Sequence, residues 1–501
     1  MRFFKELDGW QKTALLFPLL VGNGSLNSSA QETRKNSDNQ DKKKYNVVFI
    51  ISDDLNCDLG SFDDPIVKTP NLDKIRQNGV RFFNDYCQYP LSGPTRASFL
   101  TGYSPDKTKV YDLSTNFRKA LPSAVTLPEL FKNNGYYTAR IGKVFHAGVP
   151  GDIGQDGMDD PQSWNIRYNP IGIDKTEEDK VHVCTPQLMV KGRIGATLAY
   201  RCVNGPDNLH TDAIGANIAC YLIHRHKDKP FFIAMGFYRP HTPFVAPKKY
   251  FDMYPLSEIK LPYVPADDWK NKPICARWSD PLNWGVPTDT LRQCKRAYYA
   301  CISFMDAQIG KIVNELKKDG LADNTIIVFC GDNGYCLGQH GQWEKQMLFE
   351  HSARVPLIIS VPGLTKTKGS YNHPVEMLDI YPTIANLCKL NNIPSDLDGK
   401  DLAPLLKDTS YPWNEDAFTE TARVPNKLRP YIKGKFMGRS VRTTRYRYTE
   451  WDEGKEGGEL YDYEKDPNEY HNLYNNKKYA KIQEALAKKL HQHYKYKASF
   501  N

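Results

Sequence analysis

Four short segments of this chain bring together the residue types that bind hard cations and steady anions. Asp53-Asp54 closes the apolar run from Tyr45 to Ser52, and Gly331-Asp332-Asn333-Gly334 closes a second run, 325–330. Tyr238-Arg239-Pro240-His241 closes a third, 231–237, and Lys143 and His146 follow a fourth strand-like stretch, 136–142. Carboxylate and amide oxygens directly after buried strands form an all-oxygen donor set that suits Ca²⁺ or Mg²⁺ rather than zinc. One such pair would serve equally well as a turn or helix cap. Two pairs, each at the end of a strand, are harder to explain that way. A different signal sits at Ser92, in the order Ser92-Gly93-Pro94-Thr95-Arg96 with Leu100-Thr101-Gly102 behind it. A serine nucleophile ordinarily has a neighbouring histidine or a G-x-S-x-G elbow, and Ser92 has neither.

The elements that must position these residues alternate. Continuous apolar runs at 45–52, 231–237, 325–330 and 355–362, the first rich in β-branched residues, read as strands buried on both faces. Helical patterns lie near 70–78, 95–102, 125–134, 209–225 and 290–318. In the last, Tyr298, Ile302, Met305, Ile309 and Ile312 recur at helical spacing, which is core packing. The alternation predicts an α/β layered fold with a large, mostly parallel sheet, whose ligands gather at the carboxyl ends of its strands. From about residue 410 the texture changes to short Arg- and Tyr-rich strands, as in 440–451 and 459–463, and then a helix near 477–492. That predicts a smaller antiparallel sheet with a terminal helix. The expected organisation is 1–30 as a signal peptide, 31–44 as a polar linker, 45–409 as the catalytic domain and 410–501 as a C-terminal subdomain.

The signal-peptide reading rests on Arg2 and Lys5 before the apolar run 13–22, with Ser28-Ser29-Ala30 as small residues for cleavage. No later run reaches the ~18 apolar residues that a membrane span needs, so the expected product is exported, periplasmic or secreted, without a membrane span. A formal charge of +9 in 501 residues is modest, and the basic residues are scattered rather than gathered into a nucleic-acid arm. Eleven cysteines cannot all pair, and no C-x-x-C repeat suggests zinc. Cys184 and Cys202, flanking a polar loop, are the expected disulfide, and Cys301 and Cys330 are expected to be buried free thiols.

The segment around Ser92 resembles the maturation signature of the formylglycine-dependent sulfatases, with Thr95 where Ser is usual. The segments 46–60, 69–86, 142–146 (GKVFH), 239–244 (RPHTPF), 331–334 (GDNG) and 337–345 (LGQHGQWEK) resemble the remaining active-site segments of that family, in order. Within the family, 110–113 (VYDL), GKVFH and 440–451 look most like the iduronate-2-sulfatase branch. The resemblance implies an alkaline-phosphatase-like sandwich and hydrolysis of sulfate esters of glycans. It implies that a formylglycine-generating maturase oxidises Ser92 to the aldehyde whose hydrate is the nucleophile. It implies one Ca²⁺ held by Asp53, Asp54, Ser92, Asp332 and Asn333, the last standing where many relatives carry His. Arg96 would hold the hydrate or the metal carboxylates, and Lys143 and Lys345 would bind sulfate. His146 would accept the proton that lets sulfate depart, and His241 would protonate the leaving alcohol. His340 would do no more than order its loop.

The branch implies a 2-O-sulfated uronic acid of heparan- or dermatan-type glycans as substrate. Arg118, Lys119 or the Arg439–Arg442 region are the candidates to meet its carboxylate. Two other readings stay open at this stage: a metal-dependent phosphatase or phosphonate hydrolase of the same superfamily, and an inactive glycan-binding homologue. The leader predicts a mature chain beginning near Gln31. N-terminal sequencing of natively exported protein checks this, and a native chain that retains Met1 would refute it.

Overall fold

The computed structural model describes residues 44–364 and 369–494, so the expected leader and most of the polar linker lie outside the described residues. From Lys44 onward the chain forms one compact unit. Its main sheet is built from β1 (Asn46–Asp53), β2 (Val80–Tyr86), β3 (Tyr137–Gly142), β4 (Ile166–Tyr168), β5 (Phe231–Pro240), β6 (Thr325–Gly331), β7 (Arg354–Ser360), β8 (Gly369–Tyr371) and β9 (Val375–Glu376). A second sheet comprises β10 (Ala417–Arg423), β11 (Phe436–Arg442), β12 (Tyr446–Trp451) and β13 (Gly458–Asp462). The principal helices are α1 (Pro70–Gln77), α2 (Ser92–Thr101), α3 (Thr211–Arg225), α4 (Thr288–Lys318), α5 (Ile380–Leu387) and α6 (Ala480–His493).

The main sheet runs β8-β2-β7-β6-β1-β5-β3-β4, with β9 also beside β2. Its pairs are parallel except where β7 runs antiparallel between β6 and β2. The strand expected at 355–362 is therefore present, but it runs against its neighbours. β1 is buried at every position, and alternate residues feed opposite faces. Val48 and Ile50 join the core under α3 and α4. Val47, Phe49 and Ile51 join the core with Phe99 of α2 and Ile380 of α5. Strands covered on both faces must be apolar, which is why the unbroken apolar runs mark the central strands.

Register is what sets up the site. Ser52 of β1 lies opposite Gly331 of β6 and Phe237 of β5, and Gly142 of β3 lies opposite Gly236. The four strands thus end nearly level, and each polar residue pair emerges at the same edge. Gly236 is required here, because a Cβ at that position would lie 1.9 Å from the Lys143 carbonyl oxygen. The 31-residue α4 also reaches the edge: the Tyr298 hydroxyl donates to the Asp54 carbonyl at 2.7 Å and accepts from the Asn56 N–H at 2.9 Å. Tyr298 therefore does more than the core packing its spacing implied.

The second sheet is antiparallel in the order β10-β11-β12-β13, and Leu486 and Leu490 of α6 pack on Val441, Tyr448 and Leu460. A buried polar knot ties it to the catalytic layers. Glu350 accepts from the Tyr86 hydroxyl at 2.8 Å and pairs with Arg447 at 2.5 Å, while Arg447 also reaches Glu469 at 3.1 Å. No described helix is long and apolar enough to cross a membrane.

The Cys184–Cys202 pairing is not formed. The segment between them folds back so that Val183 opposes Ala199 and the Cys184 N–H reaches the Leu198 carbonyl. That register carries Cys202 past Cys184 to an exposed position, and the Cys184 sulfur instead lies 3.6 Å from that of Cys294 on α4. Cys301 and Cys330 are buried free thiols, as expected.

Beside β2 lies a row of acids. Asp85 is fully buried, and burial, then Asp379 and Glu376, push its carboxyl well above the usual range. Burial likewise raises Asp379, to about 7. Folding therefore takes up protons at these groups. The stability they contribute is complete below the ordinary carboxylate range and is lost as pH rises through the raised folded-state values. Asp85→Asn is expected to raise the melting temperature by several degrees at pH 8.5 and by clearly less at pH 5. Thermal unfolding across that range is the check, and a shift that does not depend on pH would be inconsistent with this account.

Candidate active site

Ser92 is the first residue of α2, where unpaired helix N–H groups favour negative charge nearby. The sequence placed this helix from 95; it begins three residues earlier, so Ser92 stands in its first turn rather than in a preceding turn. All ten residues of α2 are buried, and Gly102 ends it at φ 77°. The Ser92 hydroxyl donates to Asp53 Oδ1 at 2.9 Å and lies 3.4 Å from Asn333 Oδ1. No histidine is among its partners in the described residues.

One turn on, Arg96 is completely buried and binds both acidic segments. Its Nε donates to Asp332 Oδ2 at 2.8 Å and a terminal nitrogen reaches Asp53 Oδ1 at 3.2 Å. Its remaining donors take the Lys143 and Val144 carbonyls at 2.5 and 2.9 Å. Lys143 Nζ stands 2.6 Å from Asp53 Oδ2, and Lys345 Nζ 2.6 and 2.5 Å from the two Asp54 oxygens. Asp54 itself has a left-handed backbone (φ 60°), and its N–H, with that of Asn333, donates to Asp332 Oδ1.

The carboxylate oxygens of Asp53, Asp54 and Asp332 lie within 4.8 Å of one another and are fully buried. Burial opposes ionisation of Asp53, but Lys143, then His241, Arg96 and Lys345, hold its carboxyl well below the usual range. At Lys345 burial is outweighed by Asp54, which keeps the ammonium charged. The three carboxylates are matched by Arg96, Lys143 and Lys345. A hard divalent cation fits this oxygen set, with Ser92 and Asn333 adjoining, and would leave the site net positive and attractive to an anion.

Two histidines flank the cluster. His241 Nδ1 is 2.5 Å from the Thr242 carbonyl, which can only accept, so Nδ1 carries a proton and Nε2 faces Asp54 at 3.4 Å. Burial, then Lys345, draws its pKa well below the usual histidine value. Burial, then Lys143, does the same to His146, whose buried Nδ1 has no hydrogen-bond partner among the described residues and can accept a proton. The loop that carries His241 is braced from beneath. Asp212 accepts the N–H groups of Tyr238 and Arg239, both at 2.9 Å, and Arg239 pairs with Asp174 at 3.0 Å and donates to the His241 carbonyl at 2.7 Å. Lys143, His146 and His241 open on a cleft of about 680 Å³.

The structure thus brings together Asp53, Asp54, Ser92, Arg96, Lys143, His146, His241, Asp332, Asn333 and Lys345. His340 lies apart, bound to Asp268 at 3.0 Å and stacked on Phe349. The basic residues expected near a sugar carboxylate do not line this cleft. Arg118 is paired with Asp160 and Glu129, Arg439 with Asp106 and Glu420, and Arg442 stacks on Tyr463. Charge alone could not separate a structural arginine from a binding one. Asp212 and Asp174 carried no motif of their own, and Arg239, though within the RPHTPF segment, was given no role there.

The Sulfatase family model matches residues 45–390, and the N-sulphoglucosamine sulphohydrolase C-terminal model matches 338–496. The chain is 32% identical to a sulfatase of Formosa agariphila, over 93% of this chain and 90% of that protein. It is 31% identical to the iduronate 2-sulfatase of Mus musculus, over 94% of this chain and 98% of the relative. A phosphonate monoester hydrolase from Silicibacter pomeroyi superposes with a TM-score of 0.73 at 22% identity, covering 90% of this chain and 95% of that one, which is a likeness of fold.

Removing Arg96 would leave two buried carboxylates short of their counter-charge. Arg96→Met, close in volume, is expected to cost ~3–5 kcal/mol of stability. Urea unfolding measures it, and an unchanged midpoint would mean that these ion pairs do not hold the buried charge.

Proposed function

The chain belongs to the sulfatase family and is a sulfuric ester hydrolase, and on that premise we propose that it is exported and removes the 2-O-sulfate of a uronic acid in heparan- or dermatan-type glycans. Its likeness to iduronate 2-sulfatase along nearly the whole length supports the substrate class. The observation that carries the chemistry is Ser92 itself, a buried hydroxyl set among carboxylates and cations without a histidine to activate it. Such a serine gains a purpose if a maturase oxidises it to formylglycine, whose hydrate supplies a nucleophilic hydroxyl and a second hydroxyl through which sulfate can be expelled. One Ca²⁺ held by Asp53, Asp54, Ser92, Asp332 and Asn333 would supply Lewis acidity toward that hydroxyl and toward a sulfate oxygen.

The chain's own groups do the rest. Lys143 and Lys345, anchored on Asp53 and Asp54, present fixed positive charge to the sulfate oxygens. His241 carries its proton on Nδ1, toward Thr242, so Nε2 is the nitrogen free to meet the ester oxygen. A bound sulfate anion next to it raises its proton affinity, and Nε2 then protonates the departing alcohol. His146, neutral and with Nδ1 unpaired, accepts the proton released as sulfate leaves. Arg96 touches no part of the cleft. It holds Asp53 and Asp332 in place beneath it.

In natively matured protein, the peptide from Phe82 to Arg96 is expected to be lighter than its sequence by one H₂, and elemental analysis is expected to find one calcium per chain. That protein should release sulfate from a 2-O-sulfated uronate disaccharide, and Ser92→Ala should lower turnover by roughly 10⁴-fold or more without unfolding the chain. Full activity of unoxidised Ser92, or two zinc ions with preference for a phosphate ester, would replace this reading with the phosphatase one.

A further inference from the structure

Resting on the uronate reading above, we propose that Arg193 is the specificity residue of the cleft, pairing with the carboxylate of the sulfated sugar. The floor of the cleft is Lys143, His146 and His241, and its far wall is a hairpin in which Val190 pairs with Arg193 through the turn residues Lys191 and Gly192. Both turn residues have left-handed backbones, φ 50° and 76°, the conformation that matches a tight turn to the twist of its strands. The base of the hairpin is held by the Leu198 N–H, which donates to the Thr185 hydroxyl at 2.7 Å. Arg193 is thus presented from an anchored support.

Three observations single it out. First, it lines the same cleft as the sulfate-binding groups, which Arg118, Arg439 and Arg442 do not. Second, the Arg193 side chain has no acidic or hydrogen-bond partner among the described residues, whereas those three are committed to Asp160, Glu420 and Tyr463. Three acids line the cleft: Asp152 accepts from the Gly148 N–H, Glu178 pairs with Lys175, and Asp179 forms no ion pair with Arg193 among the described residues. Third, its surroundings are apolar: Val149, Val183, Met189 and Ile194 line the wall with it. A guanidinium fork matches a planar carboxylate with two parallel hydrogen bonds, and these apolar neighbours offer it no competing partner. The floor would take the sulfate, and Arg193 would take the second negative charge of the same sugar.

The test uses the matured full-length protein with three substrates: a 2-O-sulfated uronate disaccharide, its carboxyl-reduced counterpart, and an aryl sulfate. Arg193→Ala is expected to lower kcat/KM on the uronate by ~10- to 100-fold, mainly through KM, the scale of a lost charged hydrogen bond. The same change should leave the aryl sulfate and the carboxyl-reduced sugar within about twofold of wild type, and Arg193→Lys should recover part of the loss. Unaltered uronate turnover, or an equal loss on all three substrates, would overturn the role of Arg193. Wild-type protein that cleaves the aryl sulfate but not the uronate would overturn the uronate assignment, and this role with it, while leaving the sulfatase chemistry standing.

Discussion

Three carboxylates in a dry interior are the constraint on which the rest of this molecule depends. Asp53, Asp54 and Asp332 have no exposure to water, and unpaired charge there would be prohibitively costly. Arg96, Lys143 and Lys345 offset part of that cost, with burial still raising the carboxyls of Asp54 and Asp332, and each cation comes from a different element: a helix, a strand end and a loop. The site therefore cannot assemble piecemeal. Parallel strands must end level, α2 must be buried along its whole length, and the loop that carries Lys345 must close over the sheet edge before the charges balance.

This balance explains why so much polar structure lies beneath the site rather than in it. Asp212 and Asp174 fix the backbone of the His241 loop, Tyr298 bridges the backbone at Asp54 and Asn56, and Arg96 spends its donors on two carbonyls as well as two acids. Such groups set distances to a few tenths of an ångström, which is what electrostatic stabilisation of a developing charge needs. The far wall of the cleft is built differently. Its hairpin exposes Met189 and Val190 and commits few side chains to the core, so it can vary in sequence without disturbing the charge balance below. A floor fixed by charge balance and a wall whose exposed residues are free of it let chemistry and recognition vary separately.

The second sheet extends the same economy. Its arginines are largely spent on structure: Arg447 and Arg442 converge on Glu350 and Tyr463, and Arg439 bridges Asp106 and Glu420. These contacts couple the C-terminal layer to β2 and to the loops near α2. That layer therefore supports the active site without contributing a cation to its cleft.

The sequence by itself determined the central strands, the acidic pairs at their ends, the Ser92-to-Arg96 spacing and the long core helix. Each of these is a local pattern, in which burial on both faces demands an unbroken apolar run and one helical turn puts Arg96 beneath Ser92. Only the tertiary structure decided the antiparallel course of β7, because strand direction depends on how the chain returns to the sheet and leaves no mark in composition. It also decided that Cys184 meets Cys294 rather than Cys202, through a strand register set by distant neighbours. The sorting of the arginines was beyond the sequence for the same reason. Arg118, Arg439, Arg442 and Arg193 are the same residue type on polar stretches, and what separates a structural cation from an available one is whether an acid from a remote element reaches it.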